Sequence, residues 1–166
     1  MGIKATQKAK LFIGGVKSQQ SAPFTASDFS TETWTPIGWL ENLGEVGDSA
    51  EEITFDAIAE GRRIKLKGTR DAGTMEITVG ADPADTGQIA VVAAEATPDD
   101  YAFKLEWDDQ PPQVTTPNTG TPTTRFWIAK VMSARETYET ANDVIRMAMT
   151  LGVNSNVVRA ARVLDT

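Results

Sequence analysis

Two side chains that carry much of enzyme chemistry are missing altogether: the 166-residue sequence contains 0 Cys and 0 His. Without thiols there can be no disulfide, thiolate nucleophile or zinc–thiolate site, and without imidazole no histidine acid–base chemistry. No apolar run approaches the ~20 residues of a membrane-spanning helix. The N-terminus, Met1-Gly2-Ile3-Lys4, lacks the apolar stretch of a secretory signal. Gly2 and Thr6 fit the myristoylation pattern, but the pattern is short and is met by accident, so a plain N-terminus is the reading. No Asn-x-Ser/Thr sequon occurs. Base is also scarce, with 16 Lys+Arg against 23 Asp+Glu and a net charge of -7. A net acidic chain is poorly suited to gripping nucleic acid.

What is present is ordinary globular material, with 40% hydrophobic and 23% charged residues. The length suits one domain able to bury a core without covalent staples. Charge comes in blocks. Lys4, Lys8, Lys10 and Lys17 precede any acid, and from Asp28 to Glu60 every charge is negative. Arg62, Arg63, Lys65, Lys67 and Arg70 then form a basic cluster, and Asp71 to Asp109 is acidic again with Lys104 the lone base. Alternating solvated faces would account for this, and so would basic and acidic patches that meet between identical subunits.

Period-2 alternation dominates. Ile53, Phe55, Ala57 and Ala59 share one face of a strand, as do Ile64 and Leu66, Met75, Ile77 and Val79, and Tyr101, Phe103, Leu105 and Trp107. These faces are expected to be buried, with Trp107 in the core. Glu60-Gly61 and Arg70 to Gly73 supply turns, so 53–79 reads as a meander of hairpins. Residues 9–17 read as a strand with a bulge at Gly14-Gly15, and 124–139 and 143–153 as two long strands. One helix is expected over about 83–96. Asp82 would be its N-cap and Pro83 its first residue; Ile89, Val92, Ala93 and Ala96 would form its apolar stripe, and Pro98 its stop. Residues 110–123 carry no charge and one apolar side chain, and read as a long mobile hairpin tip. Residues 40–52, with Gly44, Gly47 and five acids, read as a second mobile loop whose Leu40, Leu43 and Val46 suit docking to a neighbour. Trp34 and Trp39 flank Pro36-Ile37-Gly38 and read as loop anchors, onto the body or onto a neighbour.

Catalytic signatures are lacking. Glu51/Glu52, Asp99/Asp100 and Asp108/Asp109 are adjacent pairs, and neighbouring strand residues point to opposite faces. There is no nucleophile elbow, phosphate loop, dinucleotide fingerprint, calcium loop or Ser-x-x-Lys. No cofactor, metal site or catalytic residue is expected.

The order of segments carries a resemblance. Trp34-Thr35-Pro36-Ile37-Gly38 leads through Gly44-Glu45-Val46-Gly47-Asp48 to Glu51-Glu52-Ile53-Thr54-Phe55-Asp56, Glu60-Gly61-Arg62 and the block Leu66 to Glu76. Asp82-Pro83, Tyr101-Ala102-Phe103, Met132-Ser133-Ala134-Arg135-Glu136 and Val153-Asn154-Ser155-Asn156 follow. From about Trp34 to Asn156 the chain resembles the major tail tube proteins of long-tailed, siphovirus-type bacteriophages; the stretch from Lys67 to Glu76 and the Asn-Ser-Asn ending are the most specific parts. The resemblance implies a mainly β fold of two packed antiparallel sheets, a sandwich or barrel, with one flanking helix. It implies a single domain over 1–166, with an N-terminal arm at about 1–8 and a C-terminal extension at about 157–166. It further implies hexameric rings that stack into a tube carrying DNA from virion to host, with tape-measure, tail-terminator and tail-tip proteins as partners and no membrane. The subunit would sit in the virion tail after assembly in the host cytoplasm. On this reading Leu40, Leu43, Val46, Asp48, Glu51 and Glu52 form a ring-stacking loop. Glu76, Glu106 and Asp108 face the lumen, where acids repel phosphate, and Arg62, Arg63, Lys65, Lys67 and Arg70 form an inter-subunit patch. A tube subunit of a type VI secretion system or bacteriocin is the alternative, as is a non-catalytic β-sandwich module decorating a phage or cell surface.

Overall fold

The computed structural model describes residues 2–166; Met1, the first residue of the expected N-terminal arm, lies outside the described residues. Ten strands and one α-helix are found among them: β1 Lys10–Val16, β2 Thr35–Ile37, β3 Leu40–Asn42, β4 Ser49–Ala57, β5 Arg62–Asp71, β6 Thr74–Gly80, α1 Thr86–Glu95, β7 Tyr101–Glu106, β8 Thr124–Thr137, β9 Arg146–Val153 and β10 Val158–Ala160. A 3-10 turn at Ala26–Phe29 completes the set. The larger antiparallel sheet runs β2-β1-β7-β8-β9-β6-β3, with β10 added beside β8; the smaller one is β4-β5. Two antiparallel sheets and one helix are what the pattern predicts.

The strand order implies curvature. β2 and β3 lie at opposite ends of the large sheet, yet only Gly38 and Trp39 separate them in the chain. Two residues span at most roughly 10 Å. The sheet must therefore curl until its two edges almost meet, as in a barrel. Its concave face holds the main core, with Leu11, Ile13, Met75, Ile77, Val79, Phe103, Trp127, Met149 and Leu151 all buried. Phe103 and Trp127 stack at 6.2 Å. Helix α1 closes this core over β8, β2 and β1. The close approach to β2 requires Gly87, since a Cβ there would strike the Pro36 carbonyl and the Ile37 Cα.

The convex face is covered at one end only. Phe24, Phe29, Ala102 and Ile128 form a second core there, with Trp34 and Phe126 packed against it. Lys104 lies over the rings of Phe12 and Trp34 at 4.3 and 5.2 Å. The expected bulge at Gly14-Gly15 is present as a register shift between Ile13 and Val16, where Glu32 accepts from the Gly15 amide at 3.0 Å.

The Asn-Ser-Asn segment has a structural task. β9 and β10 share one edge of β8, and residues 154–157 bridge the gap between them. The Asn154 amide donates to the Ile128 carbonyl at 3.0 Å, and the Ser155 hydroxyl accepts from the Ile128 amide at 3.0 Å. Asn156 accepts from the Phe24 amide at 2.8 Å and donates to its carbonyl at 3.0 Å, as a paired strand would.

Several expectations need correction. The helix starts at Thr86, with Asp85 as the N-cap accepting from the Gln88 amide at 2.9 Å. Its buried face is Gly87, Gln88, Val91 and Ala94, whereas Ile89 and Val92 face outward and Ala96 is the C-cap. The region 53–79 is one hairpin rather than a meander, because β6 pairs with β3 and β9 instead of β5. Residues 40–52 include all of β3 and the start of β4. Trp107 lies just past β7, partly exposed, with the Arg125 guanidinium 4.9 Å from its ring.

Residues 110–123 are irregular but tied down, against the expectation of a mobile tip. Asp165, buried, accepts from the amides of Val114, Thr115 and Thr119 and from both threonine hydroxyls. Thr121 pairs with Val163 in both directions at 2.9 Å. Asp109 accepts from the Thr123 amide at 2.7 Å and its hydroxyl at 2.5 Å. The C-terminal extension is thus the partner of this loop.

Candidate self-assembly surfaces

The β4-β5 hairpin stands away from the body. Its strands pair along their length, and neither has a substantial contact set with any other element. Register places Ile53 opposite Leu66 and Phe55 opposite Ile64, so the four apolar side chains lie on one face. All four are exposed, Phe55 at 59%. Sequence alternation shows that a strand is amphipathic but not what covers its apolar side; here nothing among the described residues does. At the tip, Ile58 is 97% exposed. An uncovered apolar face of this kind marks a contact surface.

The opposite face of the hairpin is charged. Arg63 pairs with Asp56 at 2.7 Å and Lys65 with Glu52 at 3.6 Å. The Asp56 contact holds the Arg63 guanidinium above its usual range. The basic cluster and part of the acidic run are therefore neighbours within one hairpin. Charge blocks separated in sequence meet inside the subunit, which leaves Arg62, Lys67 and Arg70 without an ion pair among the described residues.

The remaining sequence-derived residues fall in three places. Leu40, Leu43 and Val46 are half-buried and pack against this chain's own main core, rather than standing free for a neighbour. Gly44, at φ 63, lets that segment pass the Glu76 backbone, where a Cβ would collide. Asp48, Glu51 and Glu52 are exposed. Glu76 projects from the convex face of β6, opposite the buried Met75 and Ile77 and beside Thr150 of β9. Around it Thr78, Ala148 and Ser133 are short side chains, and Arg135 places a base beside Ala148. Glu106, in contrast, pairs with Lys104 at 2.8 Å at the far end of β7, and Asp108 follows it. Glu106 opposes Thr124 and Glu76 aligns through Thr150 with Ser133. Those positions on β8 are roughly 30 Å apart at ~3.3 Å per residue. The three acids do not form one cluster.

Sequence reasoning missed a further surface. Between α1 and the ends of β8 and β9 runs a groove of about 400 Å³, walled by Ile89, Val92, Tyr138, Ile145 and Met147 and rimmed by Asp82 and Glu136. Helical spacing pointed to Ile89 and Val92 as apolar, but periodicity alone cannot separate an inner stripe from an outer one. No helix among the described residues is long and apolar enough to cross a membrane. No group of three or more Asp or Glu side chains among them could hold a metal ion.

The curled sheet with one helix at its side and a projecting hairpin is shared with several solved structures. Over 99% of its length the chain superposes on the SPP1 tail tube protein, covering 82% of that chain with a TM-score of 0.70 at 16% identity. A protein of the anti-feeding prophage baseplate matches over 97% of this chain and 98% of its own, with a TM-score of 0.66 at 12% identity. The sheath/tube terminator structure of an extracellular contractile injection system, PVC, matches over 97% and 99% with a TM-score of 0.62 at 13% identity. No protein-family model matches the sequence, and neither does any curated protein.

Proposed function

We propose that this chain is a structural, non-catalytic tube subunit. Copies close into hexameric rings, rings stack, and the stack forms the tail tube of a long-tailed phage through which DNA passes. The observation that carries this reading is the uncovered apolar face of Ile53, Phe55, Ile64 and Leu66 on a fold shared over 99% of this chain with the SPP1 tail tube protein. A projecting hairpin that meets a different patch on the next copy makes a heterologous contact, the kind that closes rings and extends stacks. Tape-measure, terminator and tip proteins are the expected partners, the virion tail the location and host cytoplasm the place of assembly. The convex polar face around Glu76 is assigned to the lumen, where a carboxylate and short side chains let a duplex slide.

A second reading, a type VI secretion or bacteriocin-type tube subunit, is also compatible with the fold, which is shared with a protein of the anti-feeding prophage baseplate. Electron microscopy of the purified chain tests the common core of both. Rings and tubes of constant diameter are expected; a dispersed monomer at high concentration overturns the reading.

A further inference from the structure

We infer that the β4-β5 hairpin of one copy docks in the α1 groove of the next. This rests on the tube reading above and assigns both halves of one of its contacts.

Three observations converge. The first is apolar complementarity. The hairpin offers a row ending in Phe55, Ile64 and the bare Ile58 at its tip. The groove offers Ile89, Val92 and Ile145, all about half exposed, with Tyr138 67% exposed at one wall. Both surfaces are too apolar to be left to water on a soluble chain, and in this subunit neither covers the other.

The second is charge. Register places Arg62 opposite Ala57, on the apolar face beside Ile58, and among the described residues it makes no ion pair. The groove rim carries Asp82 and Glu136, and the one base near its Trp39 end, Arg146, is already paired with Glu41 and Asp143. Neither acid is bridged to a cation among the described residues; Asp82 accepts from the Trp39 indole at 2.9 Å, and Glu136 accepts from the Tyr138 hydroxyl. An unpaired cation that travels with the apolar row therefore meets unpaired anions at the furrow's edge.

The third is preorganisation. Trp39 holds φ 58, a left-handed conformation rare for a bulky side chain, and yet keeps its ring 69% exposed beside Asp82. The backbone strain is retained at a ring that the subunit itself does not bury, as expected where an aromatic waits for a partner. Ala81, Asp82 and Ile145 connect this ring to the groove, so Trp39 extends the furrow's floor toward β3.

Absence of native cysteine makes the test clean. Ile58→Cys and Val92→Cys are made as separate chains, each of which keeps the fold because both positions are exposed. The chains are mixed, assembled and oxidised. The expected result is a disulfide between the two different chains in the assembled fraction, with far less product from either chain alone. Tubes that form without this cross-link overturn the inference and leave the tube reading intact. Failure of the unaltered chain to form rings or tubes overturns both. In parallel, Arg62→Glu is expected to raise the critical concentration for assembly about 10-fold, and Glu136→Lys to restore it in the double variant. Assembly indifferent to Arg62→Glu removes the charge argument and with it this pairing. A cross-link within one chain, found in an Ile58→Cys, Val92→Cys double variant kept monomeric by dilution, shows the hairpin folding back on its own groove and also overturns the inference.

Discussion

Single residues show what burial demands. Trp127 is fully buried against Phe103, and its indole N–H lacks a partner among the described residues. Trp127→Ala is expected to cost about 3–5 kcal/mol, whereas Trp127→Phe should cost clearly less, because it also removes an unpaired buried donor. Denaturant unfolding of the two variants checks the order; a phenylalanine variant as unstable as the alanine one contradicts it. Asp165 makes a second case. Burial pushes its carboxyl up, but the hydroxyls and amides of Thr115 and Thr119 outweigh this and hold it well below the usual carboxylate range. A depressed folded-state value stabilises the clamp above the ordinary carboxylate pKa of ~3.9, with the contribution lost only as pH falls below it. The amides of Thr115 and Thr119 should therefore keep their hydrogen-exchange protection down to about pH 4 and lose it in stronger acid. Asp165→Asn should lower that protection at neutral pH. Neither partner was legible in the sequence, because a tether across about fifty residues leaves no local pattern.

At the scale of elements, apolar patterning located the longer strands but missed the three-residue β2, β3 and β10, and caps and prolines placed the helix within a few residues. What alternation could not do was choose sides. Met75, Ile77 and Val79 are buried as read, while Ile53, Phe55, Ile64 and Leu66, equally regular, are not. Both sets satisfy period 2, and only the presence of a covering layer separates them. The helix shows the same ambiguity, with Gln88 buried and donating to the carbonyls of Gly38 and Gly80 while Ile89 faces out. Gly87 yields a prediction with an inverted sign. Gly→Ala inside a helix usually stabilises by roughly 0.5–1 kcal/mol. Here the methyl would strike β2, so Gly87→Ala should destabilise by about 1–3 kcal/mol, as overpacked sites do. A raised melting temperature for that variant would contradict the close helix–strand seat.

For the whole molecule, the order of segments pointed to a fold that the chain shares with the SPP1 tail tube protein, and the two-residue link between β2 and β3 supplies the geometric reason for the curl. Which faces are left bare was not legible, since alternation does not say what covers the hairpin. The exposed pairs Arg63–Asp56 and Lys65–Glu52 should each add little to the fold, since water screens them. Moderate salt should accordingly leave the melting temperature nearly unchanged while it slows assembly steered by Arg62. Light scattering and thermal unfolding across a salt series check both halves of that statement. The small sheet has one more consequence. With two strands only, β4 and β5 are each an open edge, and an open edge invites any other strand to pair with it. Antiparallel pairing of β5 with another β5 would set Arg63, Lys65 and Lys67 among their own copies, and β4 with β4 would do the same for Glu51 and Glu52. Like charges opposed this way are destabilising. The same residues that read as a patch for attraction thus disfavour the pairing of each edge with its own copy.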